Sequence, residues 1–185
     1  LNGNTSGNAN TANGVGALQN NTTASRNTAI GYRALFTQSF NNFGSSYNTD
    51  NVAVGYEALY NNQPTSTGNG RYNTAVGSYS LRNNTTGHNN TAVGREALTS
   101  NTTGDSNTAV GDLALNDNRT GSVNTAIGRW ALANNFSGSL NTAAGLAALN
   151  SNTSGNANTG IGYWALRSNT TGSQNIAIGA SLSVF

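Results

Sequence analysis

Seven asparagines, Asn73, Asn90, Asn107, Asn124, Asn141, Asn158 and Asn175, stand 17 residues apart without slippage. Each opens a copy of the unit N-T-A-[VI]-G-x-x-A-L-x-x-N-x-[TS]-G-x-x. Asn10 and Asn27 open two more copies at the same spacing, and Asn51 a tenth. The steps from Asn27 to Asn51 and from Asn51 to Asn73 are 24 and 22 residues, so those copies carry insertions of seven and five. A fixed short period over nearly the whole chain specifies a solenoid, in which each unit packs only on its neighbours, and excludes an ordinary compact globule.

Numbering the unit from its Asn, positions 2 and 4 take β-branched residues. Position 2 is Thr except at Val52 and Ile176, and position 4 is mostly Val or Ile. That is a short strand of period two. Position 3, on the opposite face, is Ala in nine copies and Gly160 in the other, which calls for close packing there as well. Position 5 is Gly in all ten copies, from Gly14 to Gly179. It reads as a bend needing positive φ or close backbone approach. A phosphate loop is the poorer reading, because neither a helix start nor a Lys follows. Position 9 is Leu from Leu18 to Leu166, preceded by Ala or Ser, and is the expected core column. The N-x-[TS]-G segment at positions 12 to 15 is turn chemistry, with Gly expected to supply a left-handed conformation; Ala24 replaces it once. The expected fold is all-β: a parallel β-solenoid of about ten coils, each with about two short strands, stacked about 4.8 Å apart. One turn of helix over G-x-x-A-L is the competing local reading. Residues 1–185 form a single repeat domain with loop insertions within 36–50 and 60–72. The opening L-N-G-N-T-S-G-N-A matches the second half of a unit, so the chain reads as a fragment of a longer one.

Charge narrows the function. Only 8% of residues are charged, against about 25% in a typical soluble protein. The eight basic residues are all Arg and scattered, leaving no nucleic-acid footprint. No Cys is present, which removes disulfides and thiolate chemistry. No apolar stretch is long enough to span a membrane. Calcium-binding nonapeptide repeats need an Asp in every unit, which these lack, and no His/Cys/Asp cluster has metal-ligand spacing. No cofactor is expected.

Position 6 runs Arg95, Asp112, Arg129, a charge ladder if coils stack in register; Arg33 and Glu57 suggest another at position 7. A single coil holds about one Leu, one Val or Ile and two Ala, a thin core against the entropy of ordering it. Association of three chains through positions 2 to 4 would bury a second face.

The segments Asn51–Gly55 (N-V-A-V-G) and Asn175–Gly179 (N-I-A-I-G) resemble the repeats in heads of trimeric autotransporter adhesins. The fuller unit, as in Asn90–Gly104, is similar to repeat regions of bacterial and phage tail-fibre proteins. The resemblance implies a parallel β-roll in a homotrimer, an extracellular place on a bacterial cell surface or virion, and a host or prey cell-surface glycan or protein as partner. It implies a structural and adhesive role, not an enzyme.

Candidate binding residues lie where the repeat is broken or variable. Phe36, Phe40, Phe43, Tyr47, Tyr60 and Tyr72 crowd the two insertions. Exposed aromatic clusters mark sugar- or protein-binding sites, or else the two loops pack into a satellite core. Trp130 and Trp164 stand in the variable column at positions 6 and 7, suited to glycan stacking or to packing between chains. Two other functions compete. A flat Thr column at position 2 would suit an ice- or crystal-binding solenoid. Glu96 and Asp112, on neighbouring coils, are the best pair for a polysaccharide depolymerase.

Overall fold

The computed structural model describes residues 3–40 and 42–180. Leu1 and Asn2, at the start of the partial unit, lie outside the described residues. Each unit forms one coil of a parallel β-solenoid. Ten strands stack in chain order into one sheet: β1 (Thr11–Asn13), β3 (Thr28–Ile30), β5 (Val52–Val54), β6 (Thr74–Val76), β7 (Thr91–Val93), β8 (Thr108–Val110), β9 (Thr125–Ile127), β10 (Thr142–Ala144), β11 (Thr159–Ile161) and β12 (Ile176–Ile178). Register is strict, with Thr91 opposite Thr108, Ala92 opposite Ala109 and Val93 opposite Val110. The seven- and five-residue insertions do not disturb it, since Thr28 still pairs with Val52 and Val52 with Thr74.

The expected second strand per coil is absent except at β2 (Ala24–Ser25) and β4 (Tyr47–Asn48), which pair with each other. Elsewhere the coil is closed by overlapping turns, and no helix forms over G-x-x-A-L. In the coil that begins at Asn124, Ala131 N–H donates to Gly128 O (3.2 Å), Ala133 N–H to Trp130 O (3.3 Å) and Asn135 N–H to Leu132 O (3.1 Å). The third residue of each of the first two turns has positive φ, the mark of type II geometry. So the entire Leu column, from Leu18 to Leu166, sits at φ between 49° and 54°. A non-glycine residue there costs about 1–3 kcal/mol. Full burial of each of these side chains, worth about 1.5–3 kcal/mol, offsets it. The backbone groups between turns reach the coils on either side: Leu132 N–H donates to Ala148 O (3.0 Å) and Trp130 N–H to Asp112 O (3.0 Å).

Inside lie the Leu column and the two Ala columns of positions 3 and 8, all but closed to solvent except at Ala12 of the first strand. Two asparagine ladders complete the interior. At position 1, the backbone N–H of Asn107 donates to Asn90 Oδ1 (2.9 Å), and Asn107 Nδ2 donates to that oxygen (3.2 Å) and to Gly121 O (2.9 Å). At position 12, Asn118 Nδ2 donates to Asn101 Oδ1 (2.9 Å) and to the same Gly121 O (2.9 Å). Both lone pairs of that glycine carbonyl are thus used. These asparagines are fully buried, so each coil has far more satisfied interior than its apolar residues alone provide.

Glycine does different work at the two conserved places in the unit. At position 5 φ runs from 123° to 136° in all ten coils, a region closed to side chains. At position 15 of the regular units, from Gly87 to Gly172, φ is not positive, contrary to expectation; only Gly70, which closes the second insertion, has it, at 61°. The constraint there is proximity: a Cβ on Gly104 would meet Gly121 O at 2.3 Å and Asn101 Oδ1 at 2.5 Å. Ala24 takes that position where the following coil carries the first insertion, and it is absorbed into β2.

Candidate functional site

Both insertions leave the solenoid at the same corner, after position 12. In the first, Gln38 replaces the ladder asparagine. Its longer side chain reaches where Asn could not: Nε2 donates to Thr49 Oγ1 (2.9 Å), and Oε1 accepts from Asn51 Nδ2 (3.4 Å) and Asn62 Nδ2 (3.5 Å). In the second, Asn69 Oδ1 closes the loop by accepting from the N–H of Thr65 (3.0 Å) and Ser66 (3.2 Å). Gly70 O then receives Asn51 Nδ2 (2.9 Å) and Asn62 Nδ2 (2.8 Å), restoring the ladder.

The six loop aromatics do not form one cluster. Phe36 stacks on Tyr60 at 5.2 Å and 2°, because both occupy position 10 in successive coils. Phe40 meets Tyr47 edge-on at 5.7 Å. Phe43 is 99% exposed. Tyr72 lies under the Arg71 guanidinium. The satellite core is therefore two separate ring pairs. Tyr47 is buried in β4, and burial raises its phenol pKa to about 12, against a smaller lowering by Gln38. With the folded pKa above the ordinary tyrosine value of 10.0, this residue's contribution is intact below pH 10 and is lost as pH rises towards 12. A Tyr47→Phe variant should lose less stability than the native chain between those limits, read by melting at fixed pH values.

The charges pair across coils. Asp112 joins Arg95 (2.8 Å) and Arg129 (3.3 Å), as the position-6 pattern predicts. Arg95 also binds Glu96. Glu96 and Asp112 thus share one guanidinium in an exposed ion network. Glu57 does not pair with Arg33 but with Arg82 at 2.7 Å; Arg33 lies over the rings of Tyr32 and Phe36 instead. His88 Nδ1 lies 2.6 Å from Asp105 Oδ1. Among the described residues, no group of three His, Cys, Asp or Glu could hold a metal ion.

Two surfaces remain. One is the outer face of the ten-stranded sheet. Position 3 points inward, so positions 2 and 4 point out as parallel columns. Val76, Val93, Val110, Ile127 and Ile161 are all more than a third exposed, beside half-buried Thr74, Thr91, Thr108 and Thr125. The other is a groove of about 410 Å³ on the turn side, with Trp130, Ala147, Trp164, Asp117, Asn134 and Arg167 among its lining residues. Trp130, Ala147 and Trp164 are position 7 of three successive coils. The structure brings the two tryptophans to one groove and keeps the loop aromatics out of it. The sequence pattern places the tryptophans in one column; the gap left by Ala147 is the signal that reading them singly missed.

Comparison with protein-family profiles, with curated proteins and with solved structures gives no match, so function is read from the chain's own geometry.

Proposed function

We propose that this chain is a structural and adhesive segment of an extracellular fibre, three copies associating through the Thr and Val/Ile face, and that it displays loops and grooves to a cell-surface glycan or protein. The observation that carries this reading is the apolar column at position 4, largely exposed and running from Ile30 to Ile178 along nine strands in register. A continuous apolar stripe of this kind is characteristic of an interaction surface. Hydrogen bonds between successive coils make the solenoid stiff, and three copies of a weak site raise avidity without a tight single one. Multi-angle light scattering should give three times the chain mass of 18.9 kDa. The double variant Val93→Asp with Val110→Asp should fall to a single chain with unchanged circular dichroism. A native chain that is monomeric at every concentration tested defeats the assembly.

The same face favours one other function. Its Thr column is outward and in register, with a pitch of about 4.8 Å, the arrangement an ice- or crystal-binding face needs. Val52 and Ile176 interrupt it. One face cannot serve both purposes, so thermal hysteresis from a monomeric chain would select this second reading.

A further inference from the structure

Rings in the same column of adjacent coils stack in this fold. Tyr32 and Tyr56, both at position 6, lie 5.1 Å apart at 17°, and Phe36 and Tyr60 at position 10 lie 5.2 Å apart. Position 7 breaks that pattern. Trp130 and Trp164 are two coils apart, and the rung between them carries Ala147. Two coil steps span about 9.6 Å, room for one ring at the coil-to-coil spacing of 5.1 and 5.2 Å that the stacked pairs show. The groove lies at this incomplete rung.

The geometry points to a saccharide subsite here: the slot takes one hexopyranose ring of a glycan between Trp130 and Trp164. The proposal deepens the adhesive reading and rests on it only for its biological meaning; the slot exists in a single chain. Three observations select a sugar over a purely apolar ring. The Asp117 carboxylate is exposed on the groove and has no ion-pair or hydrogen-bond partner among the described residues, so it is available to accept from two hydroxyls. Asn134 and Arg167 add amide and guanidinium groups along the same groove. Both walls are held before any ligand arrives. The Arg129 guanidinium lies 3.9 Å from the Trp130 ring centre and Tyr163 stacks on Trp164 at 4.5 Å, while Arg167, 4.4 Å from the Trp164 ring centre, is the groove-side group that an entering sugar moves aside and bonds. Rigid aromatic walls with polar edges suit the apolar C–H faces and equatorial hydroxyls of a pyranose, and little side-chain entropy is lost on binding.

Trp130 and Trp164 are the chain's two tryptophans, so fluorescence excited selectively at tryptophan reports this slot without the seven tyrosines. The intact chain is titrated with D-glucose, D-galactose, D-mannose and N-acetyl-D-glucosamine, followed by fluorescence and by calorimetry. At least one should give a saturable change. Trp130→Ala and Trp164→Ala should each weaken it about tenfold or more. Ala147→Trp should abolish it by supplying the missing ring, at a backbone φ of 52° close to the 60° that both native tryptophans already adopt. Ala147→Leu, which repeats Leu113 of the same column, is the smaller filler and should also block. Circular dichroism should be unchanged in the fillers. Three results overturn the proposal: no saturation with any of the four sugars, saturation that both fillers leave intact, or tighter binding of N-acetyltryptophanamide than of any sugar, which would assign the slot to an aromatic side chain of a protein. Light scattering on the same samples separates the two readings, since a trimer that binds no sugar removes only the subsite and a monomer that binds one removes only the assembly.

Discussion

Replacing Asn118 by Asp should destabilise the chain more at neutral pH than replacing it by Ala, and the difference should shrink on acidification. Asn118 is fully buried. Its Nδ2 donates to Asn101 Oδ1 (2.9 Å) and Gly121 O (2.9 Å), and its Oδ1 accepts from Asn135 Nδ2 (2.8 Å). Asn118→Ala removes all three bonds and leaves a buried amide donor without its ladder acceptor. At about 1–3 kcal/mol for each buried group left unsatisfied, the loss is about 2–5 kcal/mol. Asn118→Asp keeps the shape and the acceptor but turns the donor into a second oxygen facing two carbonyl oxygens. It also buries a charge, which costs several kcal/mol. The protonated carboxyl restores one donor. Its folded pKa is therefore raised above the unfolded value of about 3.9, so stability is highest below that unfolded pKa and falls as pH rises through the folded one. Melting temperatures from pH 4 to 8 test this. A constant gap between the two variants across that range would show that the ladder does not depend on donor count.

Gly111→Ala should divide the rod. At φ 136° the residue occupies backbone space closed to alanine, and the added Cβ would lie 2.7 Å from the Gly128 carbonyl carbon and oxygen. The strain alone costs about 1–3 kcal/mol. Relieving the contact means moving a coil off its neighbour, and in a solenoid that interface is what couples the units. The expected outcome is two melting transitions where the native chain has one, with faster amide exchange in peptides covering 107–128. Gly68→Ala is the control. Its added Cβ would meet only Ser66 Oγ, at an ordinary 3.6 Å, and should change stability by no more than about 0.5 kcal/mol. A single unshifted transition in Gly111→Ala would mean that the coils are coupled through the Leu and Asn columns and not at this bend.

Much of the interior was legible beforehand, and the misses share a pattern. The Leu column is the core because only that bulky position recurs in every complete unit. The charge ladder at position 6 follows from stacking alone and is present. Column position sets Glu57 beside Arg33, but Arg82, three positions further along the next coil, comes closer once the overlapping turns fold that side of the coil. Nearness in sequence makes the loop aromatics look like one group. Stacking by column instead pairs Phe36 with Tyr60, while β4 draws Tyr47 inward against Phe40. The groove between Trp130 and Trp164 is not legible from residue type, because what makes it is an alanine.

The 17-residue period by itself determined which residue lies above which, since equal spacing along the chain becomes vertical alignment once coils close. It therefore settled the solenoid, the strand at positions 2 to 4, the Leu column and the glycine at position 5. The path around each coil was decided only in three dimensions. Leucine has no intrinsic preference for the left-handed region, and neither residue type nor spacing states that one short strand and three overlapping turns will close the loop. That choice is made by neighbouring coils, where a backbone bent to place every Leu inside and every ladder amide against a glycine carbonyl recovers in burial and hydrogen bonding what the strained residues lose. The same closure turned the Val and Ile of position 4 outward and left an open rung between two tryptophans.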